Sequence, residues 1–143
     1  MTKQAWLLTL SAVGSLAGGA TALSAEAPEA DAIPPASAFT TIERFAITFD
    51  TPRDLAAFYL KDFGIDPYDA KIRDIGNMED RSVRTMLVTV ADGLQDPSVR
   101  GIQLRFDLRN SPDGWEAVEV GLRRKCQRGP NMENWTRDVC PQS

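Results

Sequence analysis

Between Gly101 and Cys126 apolar and polar residues alternate over two stretches of strand length, separated by a cluster of turn-forming residues. Few arrangements other than a β-hairpin satisfy that pattern, because a strand turns successive side chains to opposite faces. In GIQLRFDLR, Ile102, Leu104, Phe106 and Leu108 fall on one face, and Gln103, Arg105, Asp107 and Arg109 on the other. The segment Asn110-Ser111-Pro112-Asp113-Gly114 follows. Pro112 presets φ, Asp113 tolerates a turn, and Gly114 accepts a positive φ. The return stretch WEAVEVGLRRKC sets Val118, Val120 and Leu122 against Glu119, Gly121, Arg123 and Lys125. Trp115 falls on the polar side of this register, so it is expected either to cap the sheet edge or to sit past a bulge.

A hairpin with one apolar face needs a cover, and the preceding residues offer one. FTTIERFAITF alternates Phe45, Ile47 and Phe49 with Arg44, Ala46 and Thr48, which predicts a strand. Thr51 can then cap a helix, Pro52 suits its first position and Asp54 favours its dipole. Leu55, Phe58, Tyr59 and Asp62 form one stripe, and Ala56, Leu60 and Phe63 an adjoining one, a wide arc suited to lying on a sheet. Gly64 ends the helix, with Ile65 placed for the usual apolar contact.

Residues 66–79 admit two readings. Asp66-Pro67 can cap a short helix containing Tyr68, Ile72 and Ile75, or Lys71–Met78 can form an edge strand turning at Glu79-Asp80-Arg81. The well-placed turn favours the strand. Val83–Ala91 is a further strand, with Met86, Val88 and Val90 pointing one way and Thr85 and Thr89 the other. The expected fold class is therefore α+β, one helix packed on a four- to five-stranded antiparallel sheet. This layout resembles the cystatin-like fold, with the NTF2-like fold second. Both likenesses concern architecture and carry no function.

The N-terminus predicts export. Lys3 precedes an apolar run to about Ala17, and Ala20-Thr21-Ala22 and Leu23-Ser24-Ala25 each offer a cleavage site. Residues 1–25 are read as a signal peptide and 26–38, rich in Ala, Pro and Glu, as a flexible linker. The single domain is expected over 39–143. After cleavage no stable membrane insertion is expected, and the address is the periplasm or the extracellular space. In that oxidising setting Cys126 and Cys140, the chain's two cysteines, are expected to form a disulfide.

Composition narrows the chemistry. The chain has no histidine, which excludes histidine bases and histidine metal ligands. Two cysteines cannot complete a structural zinc site, so neither a metal nor another cofactor is expected. Residues 26–99 carry fourteen acids against seven bases, and residues 100–143 six against eight. A net charge of −4 argues against nucleic acid as a partner. Glycine-rich phosphate loops, nucleophile elbows and CxxC pairs are absent.

Three groups of residues could carry chemistry. Asp92 and Asp96 flank a loop and read as turn formers, since they lack the ligand alternation of a calcium loop. Tyr59, Asp62 and Tyr68 would line a pocket between helix and sheet if the protein were a small NTF2-like enzyme. Arg123, Arg124, Lys125 and Arg128 with Trp115 and Trp135 would present cations beside indoles to an envelope protein or a glycan. Without a partner, the same set is a solvated strand end.

The run Gln95–Gly101, then Gly114-Trp115, Cys126 with Arg128-Gly129, Trp135 and Cys140-Pro141 resembles the ends of small uncharacterised exported bacterial proteins. It covers about a third of the chain and implies no activity. The expected function is a non-enzymatic binding or inhibitory module. The alternatives are a small NTF2-like enzyme and a structural or assembly factor of the cell envelope.

Overall fold

The structure, a computed structural model, describes residues 32–142; the expected signal peptide and the start of the expected linker lie outside them. Strand β1 (Thr40–Thr41) precedes helix α1 (Pro52–Asp62). Strands β2 (Ala70–Gly76), β3 (Val83–Val90), β4 (Val99–Ser111) and β5 (Gly114–Cys126) follow. The sheet is antiparallel in the order β1-β5-β4-β3-β2, with α1 on one face. This is the α+β arrangement expected, and it is compatible with a cystatin-like layout. Among the described residues no helix is long and apolar enough to cross a membrane.

The helix ends where its residues dictate. Thr51 accepts the amide of Asp54 through its hydroxyl at 3.1 Å, and Pro52 opens the first turn. Gly64, at φ +70°, reverses the chain so that the Ile65 amide returns to the Leu60 carbonyl. Leu55, Ala56, Tyr59 and Leu60 are buried on the sheet, opposite Val88, Leu104, Phe106 and Val120. Both readings of residues 66–79 hold in part. Asp66 caps a single 3-10 turn over Pro67–Asp69, and the chain then runs as the edge strand β2.

The hairpin forms with Ser111 opposite Gly114 at its tip, where Gly114 takes φ +125°. The expected apolar face of β4 is buried at Ile102, Leu104, Phe106 and Leu108. Strand β5 departs from expectation at Val118. Asp107 pairs with Glu119 and Leu108 with Ala117, so Val118 is an extra residue and is 40% exposed. One inserted residue reverses which side chains face the core. Ala117 is consequently buried in place of Val118, and Trp115 packs against the core from the helix face.

The strand expected from FTTIERFAITF, residues 39–49, forms only at Thr40–Thr41. The Ile42 amide bonds to Val120, and Phe49 exchanges both backbone hydrogen bonds with Trp115. Seven residue steps, from 42 to 49, thus span five of β5, from 120 to 115, and the surplus leaves the sheet plane. It carries Phe45 onto the helix, 5.2 Å from the Phe58 ring and 5.3 Å from Tyr59, and leaves Ile47 43% exposed. The Tyr59 hydroxyl accepts the Phe45 amide at 2.9 Å, replacing the hydrogen bond a strand partner would have made. Burial pushes the Tyr59 phenol above its ordinary pKa.

Residues 32–38 lie in the stretch that composition marks as linker, and here they are tied down. Arg73 of β2 donates to the Ala32 carbonyl, Arg137 donates to that of Ser37, and Phe39 lies over Gly121 of β5, 2% exposed. Arg73, Leu87, Arg105 and Gly121 are successive partners across β2, β3, β4 and β5 on the face away from the helix. Three strand spacings of about 4.8 Å make roughly 14 Å, well within the reach of seven residues. The segment therefore crosses the outer face along this row, where Leu87 is 3% exposed.

Candidate functional site

Strands β4 and β5 and the disulfide loop build one end of the outer face. Cys126 closes β5 and is bonded to Cys140. The returning chain is stitched to the sheet. Arg124 and Thr136 exchange two backbone hydrogen bonds of 2.8 Å, and the Cys126 amide bonds to the Asn131 carbonyl. These contacts set Trp135 over Gly101, where an added Cβ would stand 3.3 Å from the indole. Glycine at 101 therefore lets the ring lie against the strand.

Two cations flank that indole. The Arg123 guanidinium lies 5.4 Å from its centre and 4.8 Å from the Phe39 ring, and the Lys125 ammonium lies 5.0 Å from the indole. Both distances to Trp135 are in cation–π range. Arg123 also donates from Nε to Gln103 at 2.7 Å, and Gln103 donates to Thr89 at 2.9 Å. Burial lowers the Arg123 pKa from its ordinary value. Among the described residues neither Arg123 nor Lys125 has a carboxylate partner.

The six residues singled out in the sequence do not form one patch. Arg123, Lys125 and Trp135 come together on the outer face. Arg124, between the two cations, points to the helix face, as strand alternation requires, and lines a cavity of about 300 Å³ with Tyr59 and Asp62. Trp115 lies roughly 26 Å of strand away, beyond the Val118 bulge. There it receives Arg84, 5.5 Å from its ring, and Arg84 in turn pairs with Asp74 at 2.6 Å. Arg128 is exposed in the disulfide loop. The β-bulge that separates Trp115 from the group leaves no local sequence mark beyond the misplaced tryptophan itself. Phe39, Gln103 and Gly101 belong to the site and were missed; the only signal was that Phe39 opens the apolar sequence of the domain.

The other candidates disperse. Tyr59 and Asp62 share the 300 Å³ cavity, whereas Tyr68 is 97% exposed beside a different one. The Tyr59 hydroxyl is already engaged by the Phe45 amide. Asp96 accepts the amide and hydroxyl of Ser98, which holds its carboxyl below the usual carboxylate range, as expected of a turn-forming acid. Among the described residues no group of three acids or cysteines is disposed to hold a metal.

No protein-family model, curated protein or solved structure matches the chain.

Proposed function

We propose that the protein is an exported, non-enzymatic binding or inhibitory module that receives its partner on the disulfide-clamped end of the outer face. One observation carries this reading: Arg123 and Lys125 flank the Trp135 indole without a carboxylate partner among the described residues. A partner carboxylate or an anionic sugar would meet two cations and an aromatic surface at once, and aromatic and arginine side chains dominate binding energy at interfaces. An envelope protein or a glycan in the periplasm or outside the cell has that chemistry. The Cys126–Cys140 bond and the leader-like N-terminus support this address.

The test is capture from envelope extracts by the oxidised protein and by a Lys125→Glu/Arg128→Glu variant, with identification of what is retained. Arg123 is left in place because Phe39 and Gln103 depend on it. Loss of the same partner from the variant, at an unchanged melting temperature, is the expected result. Identical capture by both proteins refutes the reading.

A further inference from the structure

The two edges of the sheet are treated differently. The outer edge of β5 is covered along its length: Phe49 at Trp115, Ile42 at Val120, β1 at Gly121 and Leu122, Thr136 at Arg124, and Asn131 at Cys126. At the opposite edge, among the described residues, Lys71, Ile72, Asp74, Ile75 and Gly76 of β2 make no backbone hydrogen bond outside the ladder with β3. Strand β2 contains no proline and pairs with β3 in continuous register, so nothing in its backbone blunts it. Exposed apolar side chains stand at both ends, with Tyr68 97%, Ile75 46% and Met78 98% exposed.

A groove of about 630 Å³ runs between this strand and α1. Ala57, Ile65 and Ile72 supply its apolar surface, and Arg53 and Lys61 line it from the helix. The side chains of Arg53, Lys61 and the neighbouring Lys71 make no hydrogen bond or ion pair among the described residues. The acids nearby are engaged. Asp54 accepts the Thr51 hydroxyl at 2.7 Å, Asp66 accepts the Tyr68 amide at 3.0 Å, and Asp74 pairs with Arg84 at 2.6 Å.

We propose that this groove takes an extended acidic segment of another protein as a sixth strand on β2. Main-chain hydrogen bonds to Ile72, Asp74 and Gly76, which alternate with the β3-bonded positions, would give affinity, and alternate side chains entering the groove would give selectivity. Ala57, Ile65 and Ile72 select apolar residues on the side facing the helix, with Arg53 and Lys61 beside them, and Lys71, on the opposite face with Thr89, meets the alternate carboxylates. A second copy of the chain fits poorly. Residues directly opposite in an antiparallel pair share a face, so two-fold pairing sets Arg73 against Arg73, Asp74 against Asp74, or Lys71 against Arg73. Like charges directly opposite are destabilising.

This surface is separate from the Trp135 site, so either proposal can fail alone. The probe is a blocked heptapeptide alternating glutamate and valine, titrated into the oxidised full chain with amide hydrogen exchange followed by NMR. Protection of Lys71–Gly76 at least about tenfold is expected, with no change in the Lys125→Glu variant. The same peptide with lysine for glutamate, or with alternate backbone amides methylated, should bind at least about tenfold more weakly, as should the exposed-site variant Arg53→Glu/Lys61→Glu to the parent peptide. Unchanged β2 exchange at millimolar peptide overturns the proposal, as does equal binding of either control peptide. A peptide-free dimer already protected at β2 overturns it too, by identifying a second copy as the occupant.

Discussion

The helix face and the outer face of the sheet draw on the same four long strands, yet they are closed in different ways. On the helix face, apolar residues at every second position of β3, β4 and β5 meet one amphipathic helix, and side chains such as Leu60, Val88, Leu104 and Phe106 are fully buried. The outer face alternates in the opposite phase and is polar: Thr89–Gln103–Arg123 in one hydrogen-bonded row, Thr85–Asp107–Arg105 in another. It is closed by two pieces of irregular chain, residues 32–39 along the row from Arg73 to Gly121, and the disulfide loop over Gly101. The helix face is held by burial that needs no particular partner, and the outer face by specific anchors. Removing one anchor should therefore free a segment, whereas removing core volume should lower the stability of the whole sheet.

The largest effect should come from the helix face. Phe106→Ala removes a fully buried ring in edge-on contact with Tyr59, centroids 5.1 Å apart. A loss of about 3–5 kcal/mol in urea unfolding is expected, shared by all strand amides in hydrogen exchange. A loss confined to the hairpin would contradict the single-core description. Next is Cys126→Ser/Cys140→Ser. Opening a loop closed by cysteines fourteen positions apart should cost about 3 kcal/mol. It should also red-shift the tryptophan emission as Trp135 leaves Gly101, and a retained spectrum would show that the backbone contacts of Thr136 hold the loop alone.

Gly121→Val is smaller and sharper. A Cβ there would meet the Phe39 Cβ at 2.6 Å, so the segment must lift. Destabilisation of about 1–3 kcal/mol is expected, with proteolysis appearing within residues 32–39 while β2–β4 amides stay protected. Global loss of protection would mean that the two faces are not separable. The smallest effect is a pH dependence at the turn before β4. Ser98 holds the Asp96 carboxyl below its ordinary value, so its ionised form is favoured in the folded state. That contribution is complete above the unfolded carboxylate pKa of about 4 and is lost as pH falls through the lower folded value. The stability difference between parent and Ser98→Ala should be flat at neutral pH and shrink in acid. A difference that grows in acid would contradict the hydrogen-bond assignment.

Much of this architecture was legible in the residues because local chemistry decides it. The Thr51 cap, the proline after it and the glycine at 64 set the helix ends, and period-two alternation marked β3, β4 and the hairpin. The site was legible only in part. Arg123, Lys125 and Trp135 were identified, but Trp115 and Arg124 were grouped with them, because adjacency in sequence says nothing about which face or which end of a strand a residue occupies once a bulge intervenes.

By itself the sequence determined the hairpin, the helix and the cysteine pairing. Each rests on backbone preferences spanning a few residues, or, for the cysteines, on there being one pair to make. The tertiary structure alone decided the inversion at Val118, the departure of residues 43–48 from the sheet, the path of residues 32–39 and, among the described residues, which edge of the sheet is covered. All four depend on contacts between residues far apart in the chain. Phe45 leaves the sheet because Tyr59 and Phe58 offer its ring more burial and its amide an acceptor, and among the described residues the segments before α1 and after β5 pair with the β5 edge and not with β2.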